Sequence, residues 1–593
     1  MECELQVRAL QPVLPVILIT AAVQGLVLYG LQHAIKVHAW PATNLGWLLA
    51  LYGIALFVPT TLELLAKHLK QHALWGVLTI LTAVVGYFGW YHGSSVSDLW
   101  NHRFDVSGDD FPLAFIVFVW WFLVLPFVQN RFAADRWTLD YRLFFTHAWR
   151  NTLKLAEAAL FTGLFWLILW LWMSLFHTLG IDFFRHLFIK PIFACPVTSV
   201  AFGCALCLIG SIDKIVSAVH EQLLGVLKWL APVAGTLLIL FTLALVVKLP
   251  GLVWSGTRSI GAEWLLWLVA VVVLFLNAAY RDGTVDRPYP LWISQTLRFS
   301  LPLTVVVSLA SVYALIVRAT DYGLTVGRVW AFIVAFTAVM YSIGYSVAAF
   351  RAGRWLQGIA RINIAVALVM IALISAALTP LLSPYRLAAN SQFDLILAGL
   401  PAVNRARSHG VGPYRYLRFH SGRYGQHRLQ ILAQLQGRPG ADHIRKLAQH
   451  VLAERNSWQK LAVADVDKLV SGLAIYPAGR TLDPDLAKAL AADWGKPKAN
   501  IFPAPTSDDD IAGLYVDLSG SGEDEFVLLM NDGGAVYKHL PTGWHNVGYI
   551  SSVGNAPPWK ALLKDLQRGN IAATTPRWKD LLIGTQRFQV EAQ

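Results

Sequence analysis

Three groups of residues in this chain have the types and spacing that could do chemistry. The first lies in VYALIVRATDYGLTVGRVWAF, residues 312–332, where Arg318, Asp321, Tyr322, Gly323, Thr325 and Arg328 fall between two apolar runs. A charge within so apolar a stretch is costly and marks a functional hypothesis. Arg318 could hold an anionic group through its planar, two-pronged guanidinium. The same residues also make a sound structural turn. Gly323 and Gly327 accept positive φ, Asp321 could pair with either arginine, and an arginine at the end of an apolar run reaches water along its own stem. Both readings stay open at this level.

The second group is LNAAYRDG, with Asn277 inside an apolar run and Arg281, Asp282 and Gly283 forming its exit turn. An asparagine there can hydrogen-bond across helices, which is packing rather than catalysis. The third is VDLSGSGEDEFVLL, where Asp517, Ser519, Ser521 and Asp524 have the order of a calcium-binding loop. Calcium takes about 6–8 oxygens and draws much of its affinity from carboxylates. Two of the four candidate ligands are serines, so the alternative is a hairpin turn that keeps the loop shape without the ion. Calcium here is the one metal candidate, and no other cofactor is implied.

Other polar groups in or near apolar runs are Gln24, Glu63, Glu157, His177 and Asn363. Glu157 and His177 are expected at opposite ends of one helix and form no joint site. There is no H-E-x-x-H, no P-loop and no G-x-S-x-G with triad partners, so nothing compels an enzyme. Of the four cysteines, Cys204 and Cys207 have C-x-x-C spacing but sit in the apolar run PVTSVAFGCALCLIG. There they read as small inert hydrophobes rather than as a redox or metal pair.

The elements that must position these residues follow from composition. Of 593 residues, 56% are hydrophobic and 14% charged, against about 25% charged in a soluble domain. The mean hydropathy is +0.51. This is a membrane protein in contact with the lipid bilayer, and its 24 Trp suit the membrane–water interface. The net charge of +12 then reflects basic loops rather than nucleic-acid binding.

A spanning helix needs about 20 mostly apolar residues. Eleven are expected: 12–34, 45–65, 72–91, 111–129, 155–178, 191–212, 228–249, 262–280, 298–318, 328–350 and 361–382. The first reads as an anchor rather than a cleaved leader. Links 66–72, 131–154, 280–298 and 351–361 are basic, and 92–111 is the most acidic. Alternation puts the basic links on the N-terminal side, with roughly twice the Lys and Arg of the other side. The N-terminus is therefore expected in the cytoplasm and the C-terminal part across the membrane. Asp282 and Asp321 then leave on opposite sides. Prolines 59, 126, 196, 232 and 302 are expected to interrupt spans, as in helices that line transport sites.

After Pro384 no apolar run reaches spanning length. Three divisions are expected: the bundle, 1–382; a helical extracytoplasmic subdomain, 383–495; and a β-hairpin-rich subdomain, 496–593. Helical periodicity marks residues 426–438, 441–455 and 483–494, the last starting at Asp483-Pro484-Asp485. Residues 493–510 read as a linker. Four strands follow, GLYVDL, EFVLLM, AVYKHL and GWHNVGYIS, joined by turns that include Asp532-Gly533. A helix, PPWKALLKDLQRG, and one last strand, DLLIGTQRFQVE, close the chain. The fold class is mainly α: a polytopic helical membrane bundle followed by an α+β soluble domain with a small antiparallel β-meander.

The stretches LNAAYRDG, SLPLTVVVSLASVYALIVRATDYGLTVGRV (300–329) and SPYRLAANSQF (383–393) together resemble the bacterial membrane-protein family catalogued as domain of unknown function 4153. Arg318, Tyr322, Gly323, Thr325 and Arg328 are its most distinctive part, and YRYLRFHSGRYG and IYPAGRTL look like the C-terminal extension of some members. The resemblance covers most of 1–400 as a hydropathy pattern and far less as motif. It implies a multi-pass protein of the bacterial inner membrane with a periplasmic domain, and no reaction, cofactor or substrate. Two functions compete: a non-enzymatic envelope protein whose outer domain binds a protein or glycan, and a transporter or lipid flippase. An enzyme acting on a lipid-linked substrate would need the charged turns to converge.

Overall fold

The computed structural model describes residues 14–100, 113–211, 213–254, 261–283, 288–351, 356, 358–399, 412–438, 440–453, 473–477, 479–494, 511–530, 533–551, 559–569, 571, 581–583 and 586–588. Among these, eleven helices are long and apolar enough to cross a membrane. They are α1 (Leu14–Lys36), α2 (Leu45–Leu64), α3 (His72–Trp100), α4 (Leu113–Ala134), α5 (Tyr141–Thr178), α7 (Pro191–Ser211), α8 (Asp213–Trp254), α9 (Ala262–Tyr280), α10 (Leu291–Tyr322), α11 (Val326–Phe350) and α12 (Ile359–Ala377). The short α6 (Phe183–Phe188) joins α5 to α7. All eleven expected spans are present in order, and several run longer. Asp140 starts α5 fourteen residues ahead of the expected apolar run, because its carboxylate accepts from the N–H of Arg142 at 2.8 Å. Basic residues 142–154, expected as loop, are therefore the first turns of a helix.

The bundle packs by close backbone approach. A Cβ on Gly93 would lie 2.6 Å from the Leu45 carbonyl oxygen, and one on Gly89 would lie 2.6 Å from that of Leu49. These glycines let α2 and α3 nearly touch, the small-residue seam that drives helix association in lipid. A second seam has Gly25 of α1 against Pro196 of α7, where a Cβ would come within 2.3 Å of the proline backbone.

The prolines do not break the spans. The helices run through Pro59, Pro126, Pro196, Pro232 and Pro302, which corrects the expected interruptions. A proline in a helix leaves the carbonyl four residues earlier without its donor. In lipid that carbonyl must find another. For Pro59 the carbonyl is that of Ala55, and Gln24 of α1 donates to it at 2.9 Å. For Pro232 it is that of Lys228, and the Tyr289 hydroxyl donates to it. The glutamine and the tyrosine thus do the work of the missing N–H groups.

Beyond the spans, α13 (Pro384–Ala398), α14 (Gly412–Phe419), α15 (Gly422–Ala433) and α16 (Ala441–Ala453) are amphipathic. The contacts divide the chain differently from the three expected parts. Residues 413–452 join 1–399 in one compact unit, and 453–593 with 400–412 form the other. Of the helices read as a separate subdomain from their soluble composition, α13 packs Tyr385 and Ala388 against Val326 of the bundle, with Tyr416 of α14 and Tyr424 of α15 beside them.

In the second unit, strands β1 (Ala474–Tyr476), β2 (Ile511–Val516), β3 (Glu525–Met530), β4 (Gly533–Leu540) and β5 (Gly543–Ser551) form one sheet in that order. β2 to β5 are the expected antiparallel meander, with Ile511 opposite Met530 and Phe526 opposite Tyr537. β1 adds a parallel edge to β2, which makes the sheet mixed. A parallel partner needs a crossover, and α17 (Pro484–Trp494) supplies it. Side chains alternate along a strand. Phe526, Leu528, Ala535 and Tyr537 therefore pack on Leu486 and Leu490 of α17. Val527 and Val536 face the other way, with Leu566 of α18 (Trp559–Gln567). The last expected strand is instead a hairpin of β6 (Leu581–Ile583) and β7 (Gln586–Phe588). The linker 495–510 and the turn residue Asp532 lie outside the described residues.

Candidate functional site

The turn between α10 and α11 is a docking seat. Arg318 and Asp321 lie in the last turns of α10, and Tyr322 ends it. Gly323 follows with φ +72°, a conformation a Cβ would strain. The fit allows none: a Cβ on Gly323 would lie 2.5 Å from Gln392 Nε2. Thr325 starts α11 by accepting from the Arg328 N–H at 3.2 Å. The Arg328 guanidinium donates to the Gly323 carbonyl and lies 5.7 Å from the Tyr322 ring centre. Gln392 Nε2 of α13 donates to the carbonyls of Tyr322 and Leu324, each at 2.9 Å. Ser391 Oγ accepts from the Leu324 N–H at 2.9 Å, and Tyr416 of α14 accepts from the Val326 N–H at 2.7 Å. Six backbone groups at the break between two helices are thus satisfied by side chains of the turn itself and of the chain that returns after the last span.

A second contact fixes the same layer. The hydroxyls of Tyr91 and Tyr424 meet at 2.9 Å, and the Arg423 guanidinium lies against both rings. Burial alone would raise the Tyr424 phenol. The hydrogen bonds with Tyr91 and Arg423 and the charges of Arg423 and Arg386 outweigh it and hold the phenol below its usual value. Gly422, with φ +54°, lets the layer approach α3: a Cβ there would fall 2.0 Å from the Ser95 carbonyl oxygen.

The second sequence group belongs to a polar cluster inside the bundle. Asn363 Nδ2 of α12 donates to Asn277 Oδ1 of α9 at 2.7 Å and to the Tyr141 hydroxyl of α5 at 3.1 Å. The Tyr345 hydroxyl of α11 lies 2.6 Å from Asn363 Oδ1 and 3.1 Å from Asn277 Oδ1. Tyr141 in turn donates to the carbonyl of Arg281 at 3.1 Å. Four helices are tied at one point, and the groups satisfy one another. At the exit turn Arg281 pairs with Glu221 at 2.6 Å and Asp282 with Arg142 at 3.2 Å. Gly283 has φ +85°, and the Tyr280 hydroxyl occupies the space a Cβ would take. The two charged turns lie at opposite ends of α10, whose 32 residues span about 48 Å at ~1.5 Å each. They do not form one site.

The 517–524 loop is organised around an amine. Lys538 Nζ of β4 lies 2.7 Å from Glu525 Oε1, 2.8 Å from Ser519 Oγ and 3.4 Å from Ser521 Oγ. Glu525 is buried and also accepts from the N–H groups of Leu518 and Ser519. Asp517 turns inward on its own loop, accepting from the N–H groups of Ser521 and Gly522. Asp524 pairs with Arg480 at 2.6 Å. The four candidate ligands therefore divide: Ser519 and Ser521 face the Lys538 ammonium, Asp517 closes the turn, and Asp524 binds an arginine.

A scan against protein-family models found no match to this chain, and searches of curated proteins and of solved structures found none either.

Several residues escaped the sequence reading. Ser391, Gln392 and Tyr416 stand in the stretches that carry the family resemblance, but no local rule says that they cap a turn 67 to 90 residues upstream. Lys538 lies 14 residues beyond Asp524, on a strand outside the loop pattern. Tyr141 and Tyr345 look like ordinary aromatics, and only Asn277 and Asn363 in apolar runs signalled the cluster.

Proposed function

We propose that this chain, an integral membrane protein by its eleven apolar helices, is a non-enzymatic protein of the bacterial cytoplasmic membrane. In this reading the bundle is a rigid base, and the C-terminal α+β domain binds an envelope protein or a glycan. The observation that carries it is the clamp of Gln392, Ser391 and Tyr416 on the 322–326 turn. Direct side-chain bonds to the link between two spans hold α13 and α14 on the bundle. The continuous proline-containing helices and the self-satisfied Asn277–Asn363–Tyr345–Tyr141 cluster favour a closed base over a transport path. The resemblance to the bacterial membrane-protein family rests on the same turn and on the 383–393 stretch that grips it.

Eleven crossings put the two chain ends on opposite sides, and the basic links assign the N-terminus to the cytoplasm. Paired reporters fused after residue 593, one active only outside the cytoplasm and one fluorescent only inside, test this; an inside result overturns the reading. A photocrosslinker at Val547, half exposed on β5, tests binding. Adducts with envelope proteins or glycans in cells support the reading, and adducts confined to cytoplasmic proteins overturn it.

A further inference from the structure

Glu63 is the least expected side chain in the bundle. It sits one residue from the end of α2 and is 6% exposed, and neither carboxyl oxygen has a hydrogen-bond partner among the described residues. Its surroundings are apolar. A Cβ placed on Gly203 of α7 would lie 3.5 Å from Glu63 Oε1, 3.5 Å from Ile17 Cγ2 and 2.9 Å from the Ala21 methyl of α1. The carboxyl thus occupies the notch that the missing side chain of Gly203 leaves between α1, α2 and α7. Ile17, Ala66 and Cys207 close around the same place. The two hydroxyls nearest to it in sequence on α2 are already engaged: Thr60 donates to the Leu56 carbonyl, and Thr61 donates to the Phe57 carbonyl and accepts from Trp121 Nε1.

A bare carboxylate in such a place is costly, because nothing replaces the water it has lost. Something must neutralise it. A hard cation needs several oxygens around it and a zinc-like ion three or four sulfur, nitrogen or oxygen ligands, and among the described residues no three such side chains come together to hold one. Among the titratable or charged groups on the neighbouring elements are Cys204 and Cys207 on α7, Lys154 and Glu157 on α5, His33 and Lys36 at the far end of α1, and Lys67 and His68 on the turn after α2, with Lys67 exposed. None makes an ion pair or hydrogen bond with Glu63 among the described residues. The cation that needs only one oxygen is the proton.

We propose that Glu63 is an intramembrane proton-binding site. The neutral acid lets α1, α2 and α7 close on the Gly203 notch, and loss of the proton would place a charge against Ile17 and Ala21. The site is independent of the outer-domain reading above, and either can fail alone.

The test is the infrared spectrum of the purified full-length protein in detergent at neutral pH, recorded for wild type and for Glu63→Gln, which copies the shape of the neutral acid. The expected result is a protonated-carboxyl C=O band in wild type that Glu63→Gln removes. A wild type with no such band overturns the proposal without any variant, and so does a band that survives the substitution. If Glu63→Gln fails to fold, dicyclohexylcarbodiimide, which attacks protonated carboxyls from the apolar phase, is mapped on wild type by mass spectrometry. An adduct at residue 63 assigns the band to Glu63, and adducts only at other carboxyls overturn the assignment.

Discussion

At the scale of single residues, position decides what a charged group does. Asp517 and Asp524 read as cation ligands by their order, yet each is turned to a local donor, and the cation among the loop oxygens is the Lys538 ammonium. Burial on its own would raise the Glu525 carboxyl. Lys538, Ser519 and the N–H groups of Leu518 and Ser519 together outweigh it and bring it down to about 2. The unfolded chain has a glutamate near the ordinary value of ~4.3. A depressed folded value means that this carboxylate stabilises the domain above about pH 4.3, and that the contribution is lost as the pH falls toward 2. In the intact protein, pepsin cleavage within 511–551 should therefore rise over that window. Glu525→Gln should flatten the rise, and an unchanged pH profile in the variant would contradict the assignment. Asp517 and Asp524 were legible as loop residues; the Arg480 that pairs with Asp524 and the Lys538 among the loop oxygens were not, because they come from a turn and a strand elsewhere in the domain.

At the scale of elements, side chains from distant parts of the chain take over for backbone donors missing at two prolines and at one turn. Gln24 and Tyr289 replace the N–H groups that Pro59 and Pro232 lack, and Gln392 caps the turn after α10. Two hydrogen bonds to carbonyls that would otherwise be buried and unpaired are worth about 1–3 kcal/mol each when lost. Gln392→Ala should therefore loosen α13 from the bundle without unfolding the spans. Hydrogen exchange of residues 384–398 in detergent-solubilised protein should accelerate at least tenfold, with the interior of α9 unaffected. A helical region after the last span is legible from composition, but α13 itself is not among the helices its periodicity marks. The seat of α13 is not legible either, since composition made it look like part of a soluble subdomain.

At the scale of the whole molecule, the bundle needs something to fix which helices meet, because lipid does not push apolar helices together as water does. The glycine seams set the distance, and the Asn277–Asn363–Tyr345–Tyr141 cluster sets the register of four helices. Asn363→Leu removes the central donor and leaves the other three groups to seek partners. At about 0.6 kcal/mol per hydrogen bond in a membrane, the loss is on the order of 1–2 kcal/mol. The expected result is a melting temperature lower by a few degrees in detergent, with an Asn277→Ala, Asn363→Leu double variant losing less than the sum of the singles. Additive losses would mean that the two asparagines do not act together.

The sequence by itself determined that the chain crosses a membrane, where its eleven spans lie, and that strands follow near the end. These depend on length, hydropathy and alternation, which are local. Only the tertiary structure decided that the prolines leave the helices whole, that residues 413–452 belong to the bundle, and that the calcium-like loop closes on a lysine. It also decided that Glu63 sits alone in a glycine notch. Each of these turns on whether a polar group finds a partner far away in the chain, and in a low-dielectric interior that partner, rather than the residue's own type, sets the free energy.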